Sequence, residues 1–377
     1  MEHIIYLDNS ATTKPCKTAC NYINKALTET WGNPSSLHML GIEAEMAITD
    51  ARTLIARKIA ALPEEIIFTG SGTEANNTVV SAVRTNRNKK IITTLIEHPS
   101  VLEPIKKLEE QGFEVVRLGC DSNGIISLEE LKNALDGNVC LVSIMLVNNE
   151  IGSIQPIAEV TRLVKQIAPS ALIHCDAVQA FGKLPINVKA LGVDLLSASG
   201  HKVHGPKGIG FLYCKKGVKL PCFISGGGQE RGKRSGTESV PLISGFMGAV
   251  EELGDIKAKL SEISQLNTYA REQFSATDFI KINSPENALP YILNISVPGY
   301  RSETLLHFLE SKNIFVSSGS ACAKGQASYV LSALGLNRSY SDSALRISFS
   351  VNNKKEDIDL TVAALKEAVT KLRRSNI

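Results

Sequence analysis

Ser197-Ala198-Ser199-Gly200-His201-Lys202 is the segment that decides the fold, and it directly follows the short apolar run at 193–196. The run predicts a buried strand that ends near a lysine, whose charged form is costly to desolvate. A lysine held there has a lowered pKa and can act as an amine nucleophile, as a Schiff base with a carbonyl cofactor requires. A surface lysine with its charged end in solvent is the alternative, and the hexapeptide alone leaves both open.

A second strand-like run, at 171–175, ends in the acidic residue Asp176, and Gln179 follows shortly after it. Pyridoxal phosphate enzymes place a carboxylate beside the pyridine nitrogen, because the protonated ring then accepts electrons from a substrate carbanion. Asp176 suits that position, and Gln179 suits a contact with the phenolic oxygen of the same cofactor. Taken alone, Asp176 is better explained as a cap of the next helix.

A candidate phosphate site lies between a predicted strand and a predicted helix. The strand covers 65–69, the turn is Gly70-Ser71-Gly72, and the helix opens at Thr73. Free amides at a helix start, together with small hydroxyl residues, bind anions. The segment is not a Walker A loop, since no Gly-Lys-Ser/Thr follows, and a dinucleotide fingerprint is also absent. An ordinary strand-to-helix turn is the alternative.

Strand-like and helix-like segments alternate along the first two thirds of the chain. Apolar residues recur at helical spacing from Ile157 to Ile167, and Pro169 is expected to end that helix. The short apolar runs at 91–95, 139–145 and 171–174 are strand candidates. This alternation predicts an α/β fold with a mainly parallel sheet covered by helices, in which ligands bind just after the strand ends.

Beyond residue 248 the pattern changes. An amphipathic helix through 260–274 leads to a strand at 291–297 and then to helices near 303–312 and 356–372. These elements predict a second, smaller α/β domain.

The composition is that of a globular protein. The chain has 377 residues, 43% hydrophobic and 21% charged, enough for a substantial core and about two domains. Its net charge of +3 is nearly neutral for this length, so direct binding of nucleic acid is not expected. No apolar run approaches membrane-spanning length, and the start at 1–6 lacks the features of a secretory signal, so we expect no membrane association and a cytoplasmic location.

The eight cysteines are expected to be free thiols in a reducing compartment. Cys140, Cys175 and Cys214 lie in apolar runs and are predicted to belong to the core. Cys16 and Cys20 are one helical turn apart, which favours helix packing over metal binding, since no second pair lies at zinc spacing.

Cys322 differs from the other cysteines because it lies in a small, polar segment. Residues 317–328 are mostly Ser, Gly and Ala, an unusual setting for a core cysteine. Such a loop can carry a thiol from a cofactor to a partner surface, and Lys324 favours the thiolate through its charge. An incidental loop thiol is the alternative.

These motifs, with others in the same order, carry a resemblance to one enzyme family. The chain is similar to the cysteine desulfurases of the NifS/IscS type, which are class V aminotransferase-like enzymes that use pyridoxal 5'-phosphate. The segment after Cys322 is shorter than in those enzymes, which affects the reach of its thiol. The matching segments are 6–13, 32–36 with His38, 68–77, 97–101, 148–150 with Gly152, 174–180, 200–202, 226–231, 234–238 and 317–322.

The resemblance implies a role for each matching residue. Lys202 joins the cofactor and removes the substrate α-proton, His98 stacks on the cofactor ring and carries protons, and Cys322 takes the sulfur as a persulfide. Asp176 pairs with the pyridine nitrogen and Gln179 contacts the phenolic oxygen. The remaining implied contacts are Gly72, Thr73, Ser199 and His201 to the phosphate, Thr237 donated by the second subunit, and Asn149 and Arg346 to the substrate carboxylate, with Asn149 also beside the cofactor. Without the resemblance, Asn149 suits a turn and Arg346 suits solvent.

The resemblance also implies the fold, the partners and the reaction. The expected fold is the pyridoxal phosphate-dependent transferase fold type I, with a seven-stranded-type sheet in a large cofactor-binding domain at 16–255. Residues 1–15 and 256–377 would form the small domain that carries the cysteine loop. The implied homodimer converts L-cysteine to L-alanine and passes sulfur to an acceptor protein, either an iron–sulfur scaffold or a tRNA-thiolating enzyme. It has no resident metal, although Cys322 could be a transient iron–sulfur ligand.

Three alternatives stay open. A selenocysteine lyase or another class V aminotransferase would use the same scaffold, and a transaminase would not need Cys322. A non-catalytic sulfur-relay platform is a more distant alternative, against which Lys202, Asp176 and His98 argue.

Overall fold

The structure is a computed structural model that describes residues 4–318 and 328–374, so Cys322 and Lys324 lie outside the described residues. The strands are β1 (Ile5–Tyr6), β2 (Ile66–Thr69), β3 (Lys90–Thr94), β4 (Glu114–Leu118), β5 (Val139–Ser143), β6 (Leu172–Asp176), β7 (Leu195–Ser199), β8 (Gly210–Cys214), β9 (Lys281–Ile282), β10 (Ile292–Ser296), β11 (Ile314–Phe315), β12 (Ser317–Ser318) and β13 (Ala344–Ser348). The helices are α1 (Lys17–Thr28), α2 (Met39–Lys58), α3 (Gly72–Ala82), α4 (Pro99–Glu109), α5 (Leu128–Ala134), α6 (Ile157–Ile167), α7 (Val188–Leu191), α8 (Gln229–Gly232), α9 (Val240–Glu252), α10 (Ile256–Ser275), α11 (Ser302–Glu310), α12 (Tyr329–Ala333), α13 (Arg338–Ser341) and α14 (Lys355–Lys371).

The central sheet has seven strands in the order β2-β8-β7-β6-β5-β3-β4. All neighbouring pairs from β7 to β4 are parallel, whereas β8 runs antiparallel to both β7 and β2. The predicted α/β fold with a mainly parallel sheet is therefore confirmed. Strands β5, β6 and β7 are buried almost throughout, as expected for parallel strands covered by helices on both faces.

The register of the sheet places two of the predicted site segments side by side. Asp176 at the end of β6 pairs with Ser197 in β7, and β7 continues through Ser199 into the short turn Gly200–Lys202. The carboxyl ends of parallel strands lie at one edge of a sheet, which is where ligands bind in such folds. Asp176 and Lys202 are therefore brought to the same edge by strand pairing.

Most predicted element boundaries hold to within a few residues. Helix α6 ends at Ile167, just ahead of Pro169, as expected. The strand predicted at 139–145 is shorter and ends at Ser143, although Ile144 and Leu146 still donate to the carbonyl oxygens of β6 residues. The hydrogen bonds to β6 therefore continue beyond the point at which β5 ends as a regular strand.

A second sheet is formed mainly by the C-terminal part of the chain. Its order is β12-β13-β10-β9, and all its pairs are antiparallel. The N-terminal strand β1 pairs with β11 in parallel, and Asp8 bridges to Ser348 of β13. The elements expected beyond residue 248 are present as α10, β10, α11 and α14. Residues at the two ends of the chain therefore meet in this region.

The cysteines fall into buried and exposed groups. Cys140, Cys175 and Cys214 are buried, as predicted. Cys16 caps α1, where its Sγ accepts from the Ala19 amide, whereas Cys20 is exposed. The prediction of helix packing is therefore wrong for Cys20, because that face of α1 points to solvent.

Among the described residues, no helix is both long enough and apolar enough to cross a membrane.

Candidate active site

A cavity of about 340 Å³ opens at the carboxyl edge of the central sheet. It is formed by residues that are far apart in sequence and that come from both sheets. Ten residues of the predicted site line it, namely Gly72, Thr73, His98, Asn149, Asp176, Gln179, Ser199, His201, Lys202 and Arg346. Thr237 is exposed and does not line the cavity, and Cys322 lies outside the described residues.

Lys202 lies in the turn that follows β7, and its side chain is directed to the cavity wall rather than to bulk solvent. Its Nζ donates to the carbonyl oxygens of Ser10, at 2.6 Å, and Ala11, at 2.9 Å. Both carbonyls belong to the N-terminal segment, which reaches the cavity through its pairing with the C-terminal sheet. The arrangement fits a reactive amine held in place by neutral acceptors.

Asp176 is 5% exposed and has a hydrogen-bond donor at each carboxylate oxygen. Oδ1 accepts from the Val178 amide at 2.9 Å, and Oδ2 accepts from the Asn76 side chain at 2.7 Å. The first bond shows that Asp176 also caps the following turn, which was the alternative to a cofactor contact. Both expectations are compatible, because each carboxylate oxygen has two lone pairs and can accept a further hydrogen bond.

The start of α3 forms an anion cradle. Ser71 caps the helix by accepting from the Glu74 amide at 3.1 Å. A Cβ on Gly72 would lie 2.7 Å from Val178 Cγ2, and a Cβ on Gly210 would lie 3.1 Å from the Gly72 amide nitrogen. Glycine is needed at both positions because a side chain would clash or would fill the space in front of the helix amides.

His201 lines the same side of the cavity. Burial lowers its pKa to about 4, and the positive charges of Lys202, Lys207 and Lys183 add to this effect. Its Nδ1 lies 3.2 Å from the Thr12 hydroxyl. The ring is therefore neutral at physiological pH, and it can offer a hydrogen bond to an anion without carrying a charge.

His98 is the N-cap of α4, and its ring also lines the cavity. Nδ1 accepts from the Ser100 amide at 3.1 Å and contacts the Ser100 hydroxyl at 2.8 Å. Burial lowers the pKa of His98, Asp176 acts in the opposite direction, and Lys202 lowers it further. Helix capping and a place beside the cavity are thus properties of one side chain.

Arg346 lies in β13 and is only 3% exposed, so the alternative in which it is solvated is wrong. Its Nη2 pairs with Asp8 Oδ1 at 2.9 Å, and Nη1 donates to the Asn149 carbonyl oxygen at 3.0 Å. Among the described residues, Arg346 Nε and Asn149 Oδ1 are buried without a hydrogen-bond partner. These two atoms leave polar capacity for a ligand in the cavity.

Sequence reasoning missed several buried ionisable residues close to the cavity. Burial raises the pKa of Glu97 to about 8 and that of Glu150 to about 7. Burial lowers the pKa of Lys183 to about 7, with Lys202 and Arg346 contributing. Glu97 and Glu150 lie within segments that carried the family resemblance, but only the fold shows that they are buried. Clusters of shifted pKa values are typical of functional sites.

Lys183 and Ser10 bond to the oxygen and the nitrogen of the Gln179 side-chain amide. Lys183 Nζ donates to Gln179 Oε1 at 3.0 Å, and Gln179 Nε2 donates to the Ser10 carbonyl at 3.0 Å. One hydrogen of Nε2 remains for a contact in the cavity.

Pyridoxal phosphate fits this set of groups. Lys202 supplies the amine, Asp176 the carboxylate for a ring nitrogen, and the start of α3 the anion cradle. The unpartnered Arg346 Nε and Asn149 Oδ1 supply further contacts for a carboxylate and an amine or hydroxyl. The cavity and its donors therefore suit a small aromatic phosphate together with an amino acid.

The fold and the cavity define an α/β protein with a lysine-bearing site at the carboxyl edge of its sheet. The chain belongs to the aminotransferase class-V family, whose profile matches residues 5–361.

Its relatives are similar over almost the whole chain. It is 40% identical to the cysteine desulfurase IscS of Dictyoglomus turgidum, covering 99% of this chain and 96% of the relative. A solved NifS-like protein superposes with a TM-score of 0.93 at 38% identity, covering 98% of this chain and 100% of that one. The structure described as SspA in complex with cysteine has a TM-score of 0.82 at 34% identity, covering 92% and 98%. The resemblance seen in the sequence is thus confirmed.

Proposed function

We propose that the protein is a cysteine desulfurase that uses pyridoxal 5'-phosphate. The observation that carries the proposal is the convergence of Lys202, Asp176 and the start of α3 on one cavity. The similarity to a protein named cysteine desulfurase IscS, and to a structure solved in complex with cysteine, supports the same reaction.

When bound, pyridoxal phosphate supplies an aldehyde that condenses with amines and a ring that accepts electrons. Lys202 Nζ would take the α-proton of the substrate, and Asp176 would favour a positive charge at the ring nitrogen. Arg346 and Asn149 grip the substrate carboxylate, and Gln179 donates to an anionic oxygen through its remaining hydrogen. His98 covers one face of the ligand and carries protons.

Sulfur transfer is assigned to Cys322. Its thiolate attacks the substrate sulfur, and an S–S bond forms as the C–S bond breaks. The electron pair of the C–S bond stays on the substrate side, the β-carbon takes up a proton, and alanine leaves. Support comes from the residues that flank 319–327. Ser317 pairs with Arg346 across β12 and β13, and Ser328 Oγ donates to Glu150 Oε2 of the cavity wall at 2.6 Å. The chain therefore leaves and rejoins the described structure beside the cavity.

Borohydride reduction of the purified protein followed by peptide mapping tests the cofactor assignment. The label is expected on Lys202, and the variant Lys202→Ala should carry none. Lys207 is exposed, so Lys207→Ala is the matched control and should keep the label. Label on another side chain, or a protein that binds no cofactor, would refute the proposal.

The fate of sulfur separates a desulfurase from the alternatives. Wild-type protein given L-cysteine should form alanine and a persulfide that maps to Cys322. The variant Cys322→Ser should lose both while keeping the cofactor. A Cys322→Ser variant that releases sulfide and alanine at the wild-type rate would instead support a selenocysteine lyase or another class V aminotransferase.

The homodimer is also a proposal, and a surface near the N-terminus supports it. Large apolar side chains are exposed there, at Trp31 (63%), Leu37 (96%), Met39 (66%), Ile42 (44%) and Met46 (60%). Large apolar side chains exposed within one short segment, 31–46, favour a subunit interface there. A second subunit would also explain why Thr237 is exposed and away from the cavity of its own chain.

A mixing experiment tests the shared site. If Thr237 acts in the partner's cavity, hybrids of inactive Lys202→Ala and Thr237→Ala chains contain one intact site. A mixture refolded or co-expressed at equal ratio should recover about one quarter of wild-type activity. No recovery in hybrids verified by mass spectrometry would contradict donation of Thr237 by the partner.

The domain bounds, the location and the sulfur acceptor are further proposals. We place a large cofactor-binding domain at 16–255 and a small domain at 1–15 and 256–377, because β1 pairs with β11. We assign a cytoplasmic location, and as sulfur acceptor an iron–sulfur scaffold or a tRNA-thiolating enzyme. Capture of the persulfide-loaded enzyme with each purified acceptor, followed by transfer of labelled sulfur, would separate the two acceptors.

A further inference from the structure

Asn76 connects two residues of the cavity although it does not line the cavity itself. It lies in α3 and is fully buried. Its Nδ2 donates to Asp176 Oδ2 at 2.7 Å and to Ser100 Oγ at 2.8 Å. One side-chain amide thus joins the end of β6 to the first turn of α4.

The Ser100 hydroxyl passes this connection on to His98. Because Ser100 Oγ accepts from Asn76, its own hydrogen is available for His98 Nδ1, which lies 2.8 Å away. The backbone N–H of Ser100 donates to the same Nδ1 at 3.1 Å. A backbone N–H can only donate, so Nδ1 must carry a lone pair rather than a proton. The proton of the neutral ring therefore lies on Nε2.

We propose that Asn76 and Ser100 are positioning residues that hold His98 as the neutral tautomer protonated at Nε2 and hold the Asp176 carboxylate through the same amide. The nitrogen that remains for a ligand is then Nε2, which carries a hydrogen and acts as a donor. Protonation at Nδ1 would break the bond from the Ser100 amide and would force the bond with the Ser100 hydroxyl to reverse its direction. The inference deepens the proposed function, but the bonds that carry it are formed by this chain alone.

The charged groups around His98 act in both directions. The Asp176 carboxylate at the end of β6 favours the imidazolium, and the Lys202 ammonium after β7 disfavours it. Glu97 precedes His98 in the chain, and its buried carboxyl has a pKa raised to about 8, so at neutral pH it is mostly uncharged. The donors at Nδ1 are therefore needed to keep the tautomer fixed while these charges change.

Nitrogen NMR of the holoenzyme labelled with ¹⁵N-histidine tests the tautomer directly. The signals of His98 are assigned as those missing in His98→Gln. We expect a pyridine-like Nδ1 and a pyrrole-like Nε2 at neutral pH. His204 is an internal control of opposite sense, because its Nδ1 lies 3.0 Å from the Lys14 carbonyl and must carry the proton. A pyrrole-like Nδ1 in His98, or a doubly protonated ring, would overturn the proposal.

Two variants test the connection to Asn76. Ser100→Ala removes one donor to Nδ1, so the titration midpoint of His98 should rise by about 0.7 pH units, equivalent to one ordinary hydrogen bond. Asn76→Leu should cause a rise of the same sign, because the Ser100 hydroxyl is no longer held. Ser81→Ala removes a hydroxyl of α3 that bonds only to the Thr78 carbonyl among the described residues, and it should leave the midpoint unchanged. An unchanged midpoint in folded Ser100→Ala or Asn76→Leu would overturn the positioning role.

Failure of this inference is distinct from failure of the proposed function. A protein that binds no cofactor would refute the proposed function, and the His98 signals would still report the tautomer. A desulfurase whose His98 carries its proton on Nδ1 would refute the inference alone. If a variant fails to fold, the wild-type spectrum still decides the tautomer.

Discussion

Lys183 and Lys90 are both buried, and their pKa values move in opposite directions. Lys183 lies behind the cavity and is 5% exposed, and burial lowers its pKa to about 7. Lys90 starts β3 at the far side of the sheet and is 8% exposed. Burial also acts to lower the pKa of Lys90, but its bonds to Asp136 and Glu114 outweigh this and the net shift is upward. At Lys90 two carboxylates offset the effect of burial, whereas the bonded partner of Lys183 is the neutral side chain of Gln179.

The same contrast distinguishes the surroundings of the cavity from places in the fold where a buried charge has an oppositely charged partner. Near the cavity, burial shifts Glu97, Glu150 and His201 towards their neutral forms. Away from it, the buried Glu230 carboxylate is paired with Arg52, whose side chain is 13% exposed. The cavity therefore combines groups that burial holds neutral with charged ones, among them the Arg346–Asp8 ion pair.

The largest expected effect comes from breaking a paired charge. Glu230 accepts from both Arg52 Nη groups, at 2.7 and 2.8 Å, and from the Phe68 amide at 2.9 Å. Glu230→Ala leaves Arg52, whose side chain is 13% exposed, without its carboxylate partner and leaves the Phe68 amide without an acceptor, so the free energy of unfolding should fall by about 3–5 kcal/mol in urea titrations. The exposed pair of Arg338 and Asp342 is the control, and Asp342→Ala should cost about 0.5 kcal/mol or less. Equal losses would contradict the comparison.

The second prediction concerns Glu97, whose pKa is raised to about 8 in the folded protein from an ordinary 4.5. Between these values the folded state keeps its proton while the unfolded state loses it, so stability falls as pH rises. Glu97→Gln removes this dependence, and its advantage over wild type should grow by roughly 1 kcal/mol per pH unit across that window. Unfolding free energies from pH 5 to 9 test this, and a constant difference would show that Glu97 is ionised when folded.

The third prediction has the opposite pH dependence. The pKa of Lys183 falls to about 7 from 10.5, so wild-type stability should rise with pH through this window, as the folded state releases its proton first. Lys183→Met removes that rise, and its gain over wild type should be greatest below pH 7. The lost bond to Gln179 offsets the gain by about 1 kcal/mol. A gain that increases above pH 8 would refute the direction of the shift.

The smallest effect is expected at Lys90. Its partners Glu114 and Asp136 have side chains that are 56% and 52% exposed, so solvent screens the pairs. Lys90→Met should lower the free energy of unfolding at pH 7 by about 1 kcal/mol or less, opposite in sign to Lys183→Met at low pH. Parallel urea titrations of the two variants decide this. Stability changes of the same sign would contradict the distinction between a lysine bonded to carboxylates and one bonded to an amide.

The sequence predicted the parts of the site that are local in the chain. The lysine after β7, the acid after β6 and the glycine-rich start of α3 each follow a recognisable strand, so their position at the sheet edge was predictable. The burial of Arg346 was not predictable, because alternation along a strand shows on which face of the sheet a side chain lies but not what covers that face. Its burial depends on Asp8, a residue 338 positions away.

The amino-acid sequence by itself determined the parallel sheet, the order of its elements and the family, since hydrophobic periodicity and spaced motifs are properties of the linear chain. Only the tertiary structure decided which polar side chains lose water together. The protonation states of Lys183, Glu97 and His98 depend on burial and on the charges of Lys202 and Asp176. Hydrogen bonds also contribute, since Lys183 bonds to Gln179, Glu97 to Met145, and His98 to Ser100. Desolvation and pairing act through space, so the protonation of these groups is fixed by packing and not by local sequence.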